Sequence, residues 1–406
     1  MKKYFFRTLL VLFILSSCKK HPESMERSSG EQKLNINLSY TQNDPYINSF
    51  ELIISDSAGN VLLDTIGAVK IRIITELKTK TKRVNVTVIA RQDSPLHYMV
   101  RTFLEVNPEK WDLITNDINY GSPVYFPSST PATLHYVNAP VGTPVFTNSP
   151  VPVQNTITTG TGTIDVSYSR AAGEYTYLLI PALDLFKLYI PAMDADTVDL
   201  AQMDSALHGN FNIPASYQTL LTELNGYVDT TDIRKYLNIY SSPFMYPGFD
   251  LIFPKKSSVF QKYEFWGIWS NQNSGAISYY GYSDSVPTTS SFFSESDYVI
   301  HSNQADNFDV EFPSIKPSFC RTDCSTDRID WRIYASPNSA QQPVSLLTSL
   351  HSQYLRDEDI TKLKITSFHF EKADGFDYDN YFNYVFSPDL MNKKLLKRSV
   401  GFDKGF

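Results

Sequence analysis
Several groups of side chains in this sequence have the types and spacing to do chemistry. The first is the cysteine pair Cys320 and Cys324 in FCRTDCS. Two thiols outside the cytoplasm can close a disulfide, and the geometry is selective. Residues four apart on an extended strand lie about 13 Å apart, beyond disulfide reach. In a helical or turn conformation they come to about 6 Å, which fits. A disulfide Cys320–Cys324 is therefore expected, in a turn between a strand ending near Phe319 and one starting near Ile329. Free thiols are the alternative. A metal would need two further ligands, and no histidine lies nearby in the sequence. The second group is acidic. Asp194, Asp196, Asp199 and Asp204 lie in DADTVDLAQMD, and Asp374, Asp377 and Asp379 lie in DGFDYD. Calcium takes several oxygen ligands from a flexible loop, so these are the candidate metal residues, Asp194, Asp196 and Asp199 first. Neither run has the spacing of an EF-hand, and solvated turns or helix N-termini account for both more simply. No other cofactor is expected.

The third group is aromatic. KYEFWGIWSNQNSGAISYYGY reads as a hairpin turning around Asn271–Gly275. Tyr263, Phe265 and Trp269 share one face of its first strand, with Trp266 and Ile268 on the other. Tyr280 and Tyr282 oppose Ile277 and Tyr279 on the second strand. One face can fill a core. Aromatics left on the other could stack against sugar rings or a partner protein, which makes Trp266, Trp269, Tyr280 and Tyr282 the candidate ligand-binding residues. Burial of both faces between packed layers is the favoured reading. Trp266 and Trp269 point oppositely, so at most one of them reaches solvent.

The common enzyme signatures are missing: no G-x-S-x-G, H-E-x-x-H, Walker A or dinucleotide glycine fingerprint occurs. The seven histidines are scattered. A glycosidase needs only two carboxylates, which can lie far apart in sequence, so an envelope glycan hydrolase stays as a minor reading. The chain is read first as a non-enzyme.

The remaining cysteine, Cys18, closes an apolar run. Lys2, Lys3 and Arg7 form a positive n-region, and Tyr4–Leu15 is mostly apolar and about the length of a signal-peptide core, short of the roughly 20 residues of a spanning helix. Leu15-Ser16-Ser17-Cys18 resembles the lipobox of bacterial lipoproteins. The resemblance implies cleavage before Cys18, a thioether diacylglycerol on its sulfur and acylation of its new amine. Each buried methylene contributes about 0.8 kcal/mol, so several acyl chains would hold the protein at the membrane. Residues 1–17 then form the signal peptide and 18–32 a polar tether. Their loss takes the net charge from −7 to −10, because the segment carries three cations and no acid.

The elements that must position these groups read as strands. KLNINLSY alternates Leu34, Ile36 and Leu38 with Asn35, Asn37 and Ser39. FELIISDSAGNVLLDTI reads as strand, turn at Asp56–Asn60 and returning strand, and KIRIITEL, RVNVTVIARQ and YMVRTFLEV follow. Residues 33–116 are thus expected to form an immunoglobulin-like or transthyretin-like β-sandwich. Residues 117–245 read as a proline- and threonine-rich linker with a mixed β/α region. Helices are expected over Thr197–His208 and Ala215–Asn238, where Tyr217, Leu220, Leu221 and Leu224 have helical spacing and Pro214 suits a first turn. Residues 246–406 read as a β-rich, aromatic domain, with a helix near Pro343–Leu355 and a final hairpin turning near Asp374–Asn380. The fold class expected is mainly β: an N-terminal sandwich, then a larger aromatic-rich β region with short helical insertions.

Composition agrees with an extracytoplasmic β-protein: 19% charged residues, 14% aromatic, 26 tyrosines and 26 phenylalanines. The acidic balance argues against a nucleic-acid partner. The lipobox and the Tyr/Asn/Thr-rich β pattern are similar to lipoproteins of Bacteroidota. FELIISDSAGNVLLDTI followed by TKRVNVTVIA faintly resembles the first domain of fimbrillin-type pilus subunits, β-sandwich lipoproteins that polymerise by strand exchange. The expectation is an outer-membrane lipoprotein with a binding or assembly role towards glycan or envelope protein. A fimbria-like or adhesive surface subunit is the alternative. Lys19, Lys20 and His21, following the cysteine, leave both the periplasmic and the outward face open.

Overall fold
A computed structural model of the chain describes residues 32–41, 44–108, 110–114, 130–138, 144–149, 151–156, 163–170, 175–190, 195–209, 217–231, 236–242, 251–254, 260–271, 275–286, 298–304, 307–337, 350–387 and 396–406. The architecture is mainly β. The first strands are β1 Gln32–Thr41, β2 Ser49–Ser55, β3 Val61–Ala68, β4 Arg72–Thr79, β5 Val84–Asp93, β6 Leu96–Val106 and β7 Trp111–Ile114. A middle group follows: β8 Thr130–Val137, β9 Pro144–Ser149, β10 Val151–Thr156, β11 Thr163–Arg170, β12 Thr176–Ile180, β13 Leu185–Tyr189, β14 Ala195–Asp199 and β15 Asp204–Gly209. Then come β16 Gln218–Tyr227, β17 Leu237–Ser242, β18 Leu251–Pro254, β19 Lys262–Asn271, β20 Gly275–Ser283, β21 Val299–Gln304 and β22 Asn307–Glu311. The last elements are β23 Phe319–Ser325, β24 Ile329–Ala335, β25 Lys364–Ala373, helix α1 Tyr378–Val385 and β26 Arg398–Gly405.

Twelve strands form one sheet in the order β17-β16-β19-β20-β26-β25-β23-β24-β6-β5-β2-β3. Every neighbouring pair is antiparallel except β24 and β6, which run parallel from Ile329 beside Tyr98 to Tyr334 beside Phe103. The alternation in KLNINLSY does what its pattern predicts: Leu34, Ile36 and Leu38 are buried. They belong to the small sheet β4-β1-β7, which packs over Phe50, Leu52, Val86 and Val88 of the large one. The turn at Asp56–Asn60 is also as expected. Gly59 takes φ +86° there, and the Asp56 carboxylate accepts the backbone N–H groups of Ala58 and Asn60.

The N-terminal sandwich is nevertheless not closed at residue 116. Its second layer continues through the β24–β6 seam into the C-terminal strands, and one core mixes Leu34 to Leu113 with Tyr227 to Leu396. Both sides of the seam are fastened. The Tyr378 hydroxyl donates to the Leu104 carbonyl at 2.6 Å and lies 3.0 Å from that of Tyr334, one on each strand. On the opposite face the Trp331 indole N–H donates to Thr102 Oγ1, which also contacts Thr87 Oγ1.

Helix α1 covers the same face as the small sheet. Asp377 and Asn380 form a capping box at its start, each side chain accepting the other's backbone N–H. Tyr378, Tyr381 and Phe382 point inward, and Phe382 packs against Phe103, Phe319 and Tyr334. The other face of the large sheet is buried in two places. Leu224, Phe265, Phe368, Phe370 and Phe402 pack with Tyr177, Leu179 and Phe186 of the middle strands. Ile53, Ile89, Trp331 and Ile333 pack with Leu355 in the 350–363 segment.

Three expectations are corrected. Thr197–His208 is not helical: it contains the end of β14, a short 3-10 turn over Leu200–Gln202, and β15. The described part of Ala215–Asn238 contains no helix; it holds β16 and the start of β17. A bulge between Thr219 and Leu221 breaks the two-residue period there, so a strand displays helical spacing. The final hairpin is a strand followed by α1, because Asp377 starts a helix where a return strand was expected. The helix expected over Pro343–Leu355 lies mostly outside the described residues, and residues 350–355 are not helical.

Candidate functional site
The α1-facing side of the large sheet carries a strip that its covers leave partly exposed. On each strand one residue in two faces this side, and the alternate ones face the far side of the sheet. In β25 and β26 the aromatics Phe368, Phe370 and Phe402 go to the far core, while Ser367, His369 and Asp403 face the strip. In β23 Arg321 and Asp323 alternate with buried Cys320 and Thr322. Register then assembles the row. Asp403 sits beside His369, and His369 beside Arg321. In the next row Ser367, Asp323, Arg332 and Arg101 follow one another from β25 to β6. At the other end Trp266 and Ile268 of β19 neighbour Tyr280 and Ser278 of β20. Trp266, Ile268, Ser278, Arg332 and Arg101 are all half-buried.

Ion pairs hold the centre of the strip. The Arg321 guanidinium lies 2.9 and 3.0 Å from the two Asp323 oxygens and 3.3 Å from Asp403 Oδ2. Ser367 Oγ donates to Asp323 at 2.8 Å. His369 Nδ1 lies 3.4 Å from Asp403 Oδ2, and Nε2 lies 3.7 Å from Glu371, whose other oxygen accepts from the Tyr381 hydroxyl. The Arg321 Nε and His369 Nδ1 contacts are off hydrogen-bond alignment and act as charge pairs. Gly401 gives the imidazole its place: a Cβ there would lie 3.1 Å from His369 Cε1 and 2.4 Å from Ser278 Oγ.

Burial disfavours the charged His369 imidazolium, but Asp403 and Glu371 outweigh it, and the pKa rises above 6.5. For Asp403 burial acts upward, and His369 with Arg321 and Arg332 pulls the carboxyl below its ordinary value. The signs fix a pH window. A raised histidine contributes stability fully below about pH 6.5 and loses it as pH rises through the folded value. A depressed aspartate contributes above about pH 3.8 and loses it as pH falls. His369→Gln is therefore expected to lower stability more at pH 5 than at pH 9. Urea melts at the two pH values measure this, and an equal loss at both would mean the charge pair is not the cause.

The residues singled out in the sequence divide clearly. Trp266 borders the strip. Trp269 is fully buried, its ring lying over Gly267 in the far core. Tyr280 and Tyr282 are buried too. Tyr280 donates to Glu264 at 3.1 Å and Tyr227 donates to it at 2.7 Å, while burial pushes the Glu264 carboxyl up. Lys397 stands over the Tyr282 ring at 5.2 Å. The four-aromatic platform thus reduces to Trp266, because the hairpin is covered on both faces.

Cys320 and Cys324 are free thiols, and the expected disulfide is corrected. Both lie on the extended strand β23, which starts at Phe319 rather than ending there, so the chain holds their backbones about 13 Å apart. Burial pushes both thiols up, that of Cys324 to about 12. The calcium reading finds no support where it can be followed. Asp199 caps the 3-10 turn, accepting from Ala201 N and Asn138 Nδ2. Asp196 lies in β14, and Asp194 falls outside the described residues. Asp377 caps α1, Asp379 pairs with Arg83 and Asp374 with Arg398. Among the described residues no three His, Cys, Asp or Glu side chains gather as metal ligands.

Sequence reasoning missed Arg321, Asp323, His369 and Asp403. The signal was present in FCRTDCS, SFHFEK and VGFDKG, where charged residues alternate with apolar ones on strands. No protein-family model matches the chain, and no curated protein matches it. Among the described residues no helix is long and apolar enough to cross a membrane.

Proposed function
We propose that this chain is a lipid-anchored protein of the bacterial cell envelope whose β body binds glycan without catalysis. The observation that carries the binding role is the strip: one half-buried tryptophan and a row of ion-paired polar side chains, on a sheet whose other apolar surfaces are largely covered. Sugars are recognised by such a combination, an aromatic face under the ring and fixed donors and acceptors around its hydroxyls. Fixing Arg321 between two aspartates lowers the ordering cost of binding. The anchor rests on Leu15-Ser16-Ser17-Cys18, and the polar residues to Gln32 tether the body to the lipid. The carboxylates of the strip are held by Arg321 and His369, which suits positioning better than acid–base turnover.

Two measurements test this. Detergent-phase partitioning should place the native chain with the membrane fraction and release a Cys18→Ala variant; equal partitioning of both contradicts the anchor. Co-sedimentation with insoluble envelope polysaccharide should weaken about tenfold in Trp266→Ala, the loss expected for one stacking contact. Unchanged retention contradicts the glycan role.

A further inference from the structure
We propose that two copies of this chain pair through the open edge of β4, antiparallel, with Ile74 facing its own copy on a two-fold axis. β4 ends the small sheet and β3 ends the large one, so one side of the N-terminal sandwich has two edges. They lie against each other at Gly67 of β3, where a Cβ would stand 3.1 Å from Ile73 Cδ1 of β4. Among the described residues no strand pairs with the outer side of β4. Such an edge offers backbone donors and acceptors to another strand. The side chains around it are apolar. The three most exposed large apolar residues among those described are Ile74 at 74%, Ile71 at 60% and Tyr46 at 57%. Ile74 is on β4 and Ile71 directly precedes the strand. The loop of Tyr46 is tied to the β3–β4 turn, where Val69 N–H donates to the Asn48 carbonyl at 3.0 Å. Ile66 of β3 is exposed as well. A cluster of this kind marks a contact surface.

A second copy fits this edge because the strand is complementary to itself. A two-fold axis joins edges antiparallel, and facing residues then point to the same side of the continued sheet. The axis therefore passes through a residue that faces itself. Arg72, Ile74, Glu76 and Lys78 alternate on the outer face of β4. Centred on Ile74, the pair sets Ile74 against Ile74 and, twice over, Arg72 against Glu76 of the other copy. Centred on Thr75, it sets Ile74 against Glu76 and Arg72 against Lys78. Centred on Glu76, it sets two carboxylates against each other. Centred on Leu77, it leaves Ile74 beyond the strand pair, facing Lys80 in the turn that follows β4. Only the first register covers the exposed isoleucine and opposes unlike charges. Arg72 already pairs with Asp112 and Glu76 with Lys33, so these charges set register more than strength. Lys78 faces Lys70 only at the solvent ends of the pair, where both are exposed and salt screens them. The product is one sheet running β7-β1-β4-β4-β1-β7 across both copies.

Sedimentation at rising concentration tests the pairing, in a Cys18→Ala chain whose two remaining thiols are buried. That chain is expected to pass from monomer to dimer. Ile74→Lys sets two ammonium groups against each other on the axis and should stay monomeric. Glu76→Lys should raise the dissociation constant about tenfold, because both contacts with Arg72 change sign. Thermal melts matching the parent's show that both variants are folded. Cysteine pairing reads the register. Ile74→Cys should give a disulfide-linked dimer under mild oxidation, since facing residues lie about 5 Å apart, within disulfide reach. Glu76→Cys should not, because residue 76 faces residue 72. A parent that is monomeric at every concentration, or equal crosslinking from both positions, overturns the proposal.

Discussion

Phe103→Ala is expected to destabilise the whole chain by about 3–5 kcal/mol, the range for truncating a fully buried phenylalanine. Phe103 has no exposed surface and meets four rings: Tyr334 stacked at 4.8 Å, and Phe382, Phe386 and Trp111 at 5.1 to 5.4 Å. Those partners come from both ends of the chain, Trp111 from the N-terminal strands and the others from β24, α1 and its end. The loss should therefore appear in every probe at once. Urea unfolding followed by tryptophan fluorescence and by far-ultraviolet circular dichroism should shift together. An N-terminal transition that moves alone would mean residues 33–116 fold as a separate unit.

Glu51→Ala is expected to cost roughly 3 kcal/mol, because a buried carboxylate leaves three donors behind. Glu51 is fully buried on β2 and accepts from Ser352 Oγ at 2.6 Å, Gln353 N at 2.7 Å and Tyr354 N at 2.9 Å. These bonds pin the 350–363 segment over Ile53, Ile89 and Trp331, and Leu355 enters that core beside them. Removing the carboxylate should free the segment before the sheet. Hydrogen exchange should show Gln353 and Tyr354 amides losing protection while those of β5 keep it. A loss below about 1 kcal/mol, with those amides still protected, would show that apolar packing alone holds the segment.

Local pattern carried the strands and little of their company. Leu34, Ile36 and Leu38 announce β1 because a two-residue period and one buried face determine each other. The same reasoning found β2, its turn and β3. It failed at β16, where a bulge beside Leu221 gives a strand a helical spacing. It failed at Cys320 and Cys324 because a turn was invoked to bring them together, whereas FCRTDCS is the alternating half of a hairpin that turns later, at Thr326–Arg328. The β24–β6 seam joins segments more than two hundred residues apart, and nothing local to either strand encodes it. The strip depends on that seam and on the register of β23, β25 and β26. Its residues were visible singly, as charges alternating with aromatics, and only the pairing makes them neighbours.

Hydroxyl-radical footprinting of the mature chain, with and without envelope polysaccharide, addresses the binding face itself. Trp266 and His369 should lose reactivity when ligand is present, while Tyr46, between β1 and β2, and Ile74 of β4, both exposed and outside the strip, should react as before. Protection falling on Tyr46 and Ile74 instead, or on no residue, would contradict the strip as the site where this protein meets its ligand.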